Sequence, residues 1–203
     1  MASYRKTAIA ALAVSALLLT PSVAYADHNH HSVSVTSSGS GVSMNWAYYG
    51  GDVTDYTTTG PEIFKDARAS ALMIGLDGRS VFRLRVTGID AEEGTYGVHL
   101  HQGTCDANNP GPPGGAGPHY NVTWDPMTGL MGAISNETEV WLDLKVDSDG
   151  DARSTATVDF VPEGKRSIVL HASPTVTEAG QTNPVGWAGT RLACLPFNIS
   201  EVG

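Results

Sequence analysis

The stretch Gly97-Val98-His99-Leu100-His101-Gln102-Gly103-Thr104-Cys105 places two histidines two residues apart, next to the strand-forming residues Tyr96 and Val98. Successive side chains of a strand point to opposite faces, so His99 and His101 share one face. A neutral imidazole is a nitrogen donor suited to zinc, copper, iron or nickel. Cys105 follows four residues after His101, and the other cysteine, Cys194, lies three residues beyond Arg191. Alone, a strand His-x-His is a weak signal, because a single strand histidine is more often a satisfied core or surface group.

Outward from this stretch the strand signal repeats. Segments 69–76 and 80–88 flank Asp77-Gly78, a favoured hairpin turn. Phe82, Leu84 and Val86 alternate with Arg83 and Arg85, the pattern of a half-buried antiparallel strand. A strand over 96–101 follows, and a first strand lies within 33–46. The Gly/Pro-rich segment 106–118 excludes helix and central strand and delivers His119 on a loop. Residues 121–138 show no clean period and read as a long surface loop. Val140, Leu142, Leu144 and Val146 alternate with Trp141, Asp143 and Lys145, and Asp149-Gly150 turns this strand into 152–160 as a second hairpin. Segment 166–172 is a strand carrying His171, 173–190 is a loop, and 192–199 is the closing strand. No helix of normal length is predicted, so the class is all-β, a sandwich or barrel.

Residues 1–26 read as a secretory signal peptide: Arg5 and Lys6 precede an apolar run, and Ala24-Tyr25-Ala26 forms a cleavage site. The run is well short of the roughly 18 apolar residues of a membrane span. Export to the cell envelope or beyond is the expectation, and in that oxidising setting a single cysteine pair most simply forms a disulfide. Its loop is worth ~4 kcal/mol on the chain-entropy model. Segment 27–60 is a polar amino-terminal extension holding His28, His30 and His31, a tract able to take accessory copper or to be a plain polar tail. Residues 61–203 form the domain proper. The chain has 12 basic and 21 acidic side chains, and without residues 1–26 the balance is 10 against 21, or −11. That argues against nucleic acid or an anionic membrane as a partner, and requires a local positive patch for any anionic substrate.

Four histidines lie outside the amino-terminal tract: His99, His101, His119 and His171. Together with both cysteines and Arg191, they occur in five ordered motifs: GVHLHQGTC (97–105), GPHYN (117–121), DG (149–150), RSIVLHA (166–172) and AGTRLAC (188–194). This set closely resembles the copper/zinc superoxide dismutase family over roughly residues 65–200. The resemblance implies a Greek-key β-sandwich or barrel of about eight antiparallel strands with long metal-site loops. It assigns copper to His99, His101, His119 and His171, the disulfide to Cys105–Cys194, and anion guidance to Arg191. His119 maps to the histidine that bridges copper and zinc, and is the one expected to detach and donate a proton.

The departures are equally specific. No histidine lies between His119 and His171, and Val140 falls near the position of the zinc aspartate. The chain therefore looks like the copper-only branch, and zinc is not expected. Asp125, Glu137, Glu139 and Asp143 are carboxylates in the same region. One of Glu137, Glu139 and Asp143 is expected to accept a hydrogen bond from a ligand imidazole, as groups around metal ligands usually do. The resemblance implies an enzyme acting on superoxide anion. The rivals are a non-catalytic copper carrier or buffer and a binding module without turnover. A homodimer is compatible with the sequence.

Overall fold

The structure is a computed structural model that describes residues 29–36, 43–57, 60–106, 108–109 and 115–199. The signal segment and His28 lie outside the described residues. Among the described residues eleven strands run in order: β1 (Asn29–Thr36), β2 (Ser43–Asp52), β3 (Thr54–Asp55), β4 (Arg68–Leu76), β5 (Arg79–Thr87), β6 (Gly94–Tyr96), β7 (Val98–His101), β8 (Leu144–Val146), β9 (Ala152–Val158), β10 (Gly164–His171) and β11 (Arg191–Ile199). No helix occurs among the described residues, so the class is all-β.

Two antiparallel sheets carry the fold, with orders β1-β2-β4-β5-β9 and β3-β11-β10-β7, and a two-stranded ribbon pairs β6 with β8. The sheets are open, so the arrangement is a sandwich and not a closed barrel. β9 returns beside β5 only after the chain has visited the second sheet, a Greek-key type of long return. The excess over about eight strands comes from β3, β6 and β8, which have two or three residues each.

Alternation decides which faces meet. Ala71, Met73, Phe82, Leu84 and Val86 of the first sheet join Leu100, Ile168, Leu170, Leu195 and Phe197 of the second in one core. The rings of Phe82 and Phe197 lie 6.3 Å apart across the interface. The first hairpin forms as predicted, with Asp77 and Gly78 at φ 50° and 77° between β4 and β5.

Other sequence expectations are corrected. The second hairpin is absent: β8 pairs with β6, whereas β9 pairs with β5. At Asp149-Gly150 the chain changes sheets. Gly150, at φ 75°, accepts from Ile89 N through its carbonyl, and a Cβ there would lie 2.5 Å from Ile89 O. The predicted strand 96–101 is split at Gly97, whose N–H donates to Ser173 O instead of continuing a ladder. The predicted strand 140–146 keeps only Leu144–Val146. Its first half makes backbone hydrogen bonds to the edge of β7, Leu100 N to Val140 O and Leu142 N to Val98 O. Segment 27–60 supplies β1, β2 and β3, and Ala47, Tyr49 and Tyr56 from it are buried. Small and aromatic residues pack here, where aliphatic periodicity would have been the usual sequence sign.

Phe82→Ala should lower unfolding free energy by about 3–5 kcal/mol, because it empties the middle of the two-sheet core. A urea titration should show a lower midpoint with little change in slope.

Candidate metal centre

Strand β7 is buried on both faces. Val98 and Leu100 point into the core, while His99 and His101 point out of the sandwich, beneath the loops that follow β7 and β10. His171 ends β10 at a register irregularity between Leu170 and His171, beside Arg191 on β11. His119 reaches the same place because Tyr120 N donates to Leu100 O and Gln102 N donates to Pro118 O, which lays the loop along β7. Gly97 permits the closure from the other side. A Cβ there would lie 2.5 Å from Ala188 Cβ and 2.8 Å from Ser173 O.

His99, His101, His119 and His171 each offer one ring nitrogen, and these four atoms lie within 4.8 Å of one another. The hydrogen bonds made by the other nitrogens decide which atom faces inward. A backbone carbonyl can only accept, so His101 Nδ1–H donates to Gly117 O at 3.0 Å and His171 Nδ1–H donates to Gly189 O at 3.1 Å. His119 Nδ1–H donates to the Glu139 carboxylate, Oε2, at 2.9 Å. Thr175 Oγ1 donates to Asp143 Oδ1 at 2.5 Å, so it accepts from His99 Nε2–H at 2.8 Å. Nε2 of His101, His119 and His171 and Nδ1 of His99 therefore turn lone pairs toward one point.

A metal ion suits that arrangement. His99 Nδ1 is buried with no hydrogen-bond partner, and Nε2 of His101 and His171 face each other at 3.3 Å. Lone pairs held this close without a proton to share repel, and an unsatisfied buried acceptor is costly. One cation relieves both. Among the described residues this is the group of His, Cys, Asp and Glu side chains able to hold an ion, and four imidazoles suit copper, zinc, nickel or iron.

Burial favours neutral, metal-ready imidazoles. It pushes His99 well below its ordinary pKa, helped by the neighbouring His119, and does the same to His101. His171 is lowered to about 4, again chiefly by burial. Arg191 lies close enough for its charge to oppose protonation of His101 and His171. Its Nη2–H donates to Gly117 O, the carbonyl that also orients His101. Burial lowers the pKa of the guanidinium itself.

No family model matches this chain, and no curated protein does. The site therefore rests on its own geometry.

That geometry brings together His99, His101, His119, His171 and Arg191. It also joins Cys105 to Cys194, a loop 89 residues long that clamps the start of the 106–118 segment to β11. The disulfide points to an oxidising, extracytoplasmic environment. The amino-terminal tract lies apart in sequence pairing: His30 and His31 sit on β1 opposite Tyr49 and Tyr48 of β2.

Of the candidate carboxylates, Glu139 is 1 % exposed and also accepts from Trp141 Nε1 and Asn121 Nδ2. Asp143 acts on His99 through Thr175, and its Oδ1 also accepts from Val98 N. Glu137 is exposed. Asp125 organises its own turn, accepting from Met127 N and Thr128 Oγ1. Sequence reasoning missed Thr175, Trp141 and the carbonyls of Gly117 and Gly189. A backbone acceptor leaves no residue-type signal, and Thr175 is one of several loop hydroxyls.

Two outcomes follow. Folded His171 protonates near pH 4 and unfolded histidine near 6.5, so the unfolded state binds more protons between these values and stability falls as pH drops through that window. For His171 alone the loss is about 3 kcal/mol at the 1.36 kcal/mol per unit conversion. Thermal melts of the metal-free protein from pH 7 to 4 measure it. Glu139→Gln should weaken binding of a divalent first-row ion about 10- to 100-fold, read by competition with a chromophoric chelator.

Proposed function

We propose that this protein is an extracytoplasmic, copper-dependent superoxide dismutase, turning two superoxide anions and two protons into one dioxygen and one hydrogen peroxide. One observation carries the reading: four imidazoles of fixed tautomer converge beside a guanidinium that shares a carbonyl with one of them. His99 would hold copper through Nδ1, and His101, His119 and His171 through Nε2. When bound, copper supplies a one-electron couple, and imidazole ligands serve both of its oxidation states.

The chain's own residues account for the remaining requirements. Superoxide is a small anion approaching a protein of strongly negative net charge, so it needs a local cation. Arg191, held by Gly117 O, provides that charge in a partly buried position where screening is weaker. His119 is the most open of the four, with 20 % of its side chain exposed. With Nδ1–H held by Glu139, its Nε2 would take a proton from solvent when it is not holding the ion, and pass it to the peroxide product. The resemblance to copper/zinc superoxide dismutases supports the same roles. We read the centre as copper-only, because the Nδ1 that a bridging imidazole gives to a second ion instead donates to Glu139.

A copper carrier would share the ligands but would have no use for Arg191. Purified protein loaded with copper should accelerate superoxide decay in pulse radiolysis, and zinc-loaded protein should not. Arg191→Glu should slow decay by about tenfold or more at unchanged copper content, with the rate rising rather than falling as salt is added. Copper-loaded protein that leaves superoxide decay at its spontaneous rate rejects the enzyme in favour of the carrier.

A further inference from the structure

The outer face of the five-stranded sheet, on the far side of the core from the histidines, carries an unusual charge arrangement. Arg68 on β4, Arg79, Arg83 and Arg85 on β5, and Arg153 on β9 all point outward. They are half of the ten basic residues in 27–203. On this face β4, β5 and β9 present no acidic side chain. Three of the arginines are answered at the rim: Arg68 by Asp52, Arg79 by Asp159 and Arg85 by Asp151. Arg83 and Arg153 form no ion pair among the described residues.

The register makes the cluster tighter. Arg85 lies directly opposite Arg153, and Arg83 is two residues along β5, opposite Thr155 and Leu72. Directly opposed like charges destabilise a sheet, and a strand step of two residues is about 6.6 Å, so Arg83 and Arg153 add two uncompensated charges beside the Arg85–Asp151 pair. All three line one cavity of about 350 Å³, whose other walls include Tyr48, Leu72 and Thr155. That volume sits at the small end of ligand pockets and matches a ring or two, not a polymer groove. Guanidinium forks pair with tetrahedral or planar oxyanions bidentately, while an aromatic face and an aliphatic wall take a ring.

We propose that this cavity is a second binding site, independent of the metal centre, for a sugar ring bearing sulfate or phosphate esters. The esters engage Arg83, Arg85 and Arg153, and the ring lies against Tyr48 and Leu72. The bound anion offsets the charge that Arg83 and Arg153 otherwise leave uncompensated.

Calorimetric titration of the full chain with sucrose octasulfate and with glucose 1,6-bisphosphate tests the site, and the pair separates sulfate from phosphate esters. At least one should bind below about 1 mM, more weakly as salt rises. Arg83→Ser with Arg153→Ser should weaken binding about tenfold or more without lowering the melting temperature, since it removes like-charge repulsion. Arg79→Ser, which removes one positive charge outside the cavity, should stay within about twofold. Tyr48→Ala should weaken the sugar esters but not inorganic sulfate. Failure of both esters to bind, equal weakening by Arg79→Ser, inorganic sulfate binding as tightly as the esters, or an oligonucleotide competing equally would each overturn the proposal.

Discussion

Four outward-facing hydrogen bonds hold the centre together. Each imidazole gives its one N–H away from the cluster, to Gly117 O, Gly189 O, Glu139 or Thr175, and so must turn a lone pair inward. A ring that reversed its tautomer would lose a buried hydrogen bond and point a proton at three neighbours. The acceptors, more than the histidines, therefore specify a metal-binding state. They also explain why His99 differs from the other three: its Nε2 is taken by the Thr175–Asp143 pair, which leaves Nδ1 for the ion.

Those acceptors lie on loops, and the sandwich exists to hold the loops. The buried face of β7 anchors His99 and His101 against the two-sheet core, and the 115–120 segment and the loop after β10 fold over the opposite face. Three devices pin them there. Gly97 leaves room for Ala188 and the Ser173 carbonyl, the disulfide fastens Cys105 to β11, and the Gly117 carbonyl gathers His101 and Arg191 into one unit. The same burial that depresses the pKa values of His99, His101 and His171 keeps those donors neutral, so packing and ligand chemistry act in one direction.

Charge is sorted as carefully as polarity. Arg191 is the cation placed at the proposed copper centre, and five of the other nine basic residues in 27–203 gather on the far sheet face. A strongly negative protein with two separated positive regions can draw anions to each without mixing their roles.

Much of this was legible from residue order. Period-two alternation in 82–86 gave a half-buried strand, Asp77-Gly78 gave its hairpin, and His-x-His put two donors on one face, because strand geometry is a local property of the backbone. Spacing alone could not show that Asp149-Gly150 carries the chain between sheets, since the close approach to Ile89 depends on the loop after β5, about sixty residues away. Nor could it choose between Glu137 and Glu139, two residues apart with the same charge. Burial beside Asn121 and Trp141 made that choice, by placing one carboxylate against His119 and leaving the other in water. Sequence by itself determined the strand class and the four donor residues. Only the tertiary structure decided which nitrogen each donor presents, because that depends on acceptors brought in from distant loops, two of them backbone carbonyls that no residue type announces.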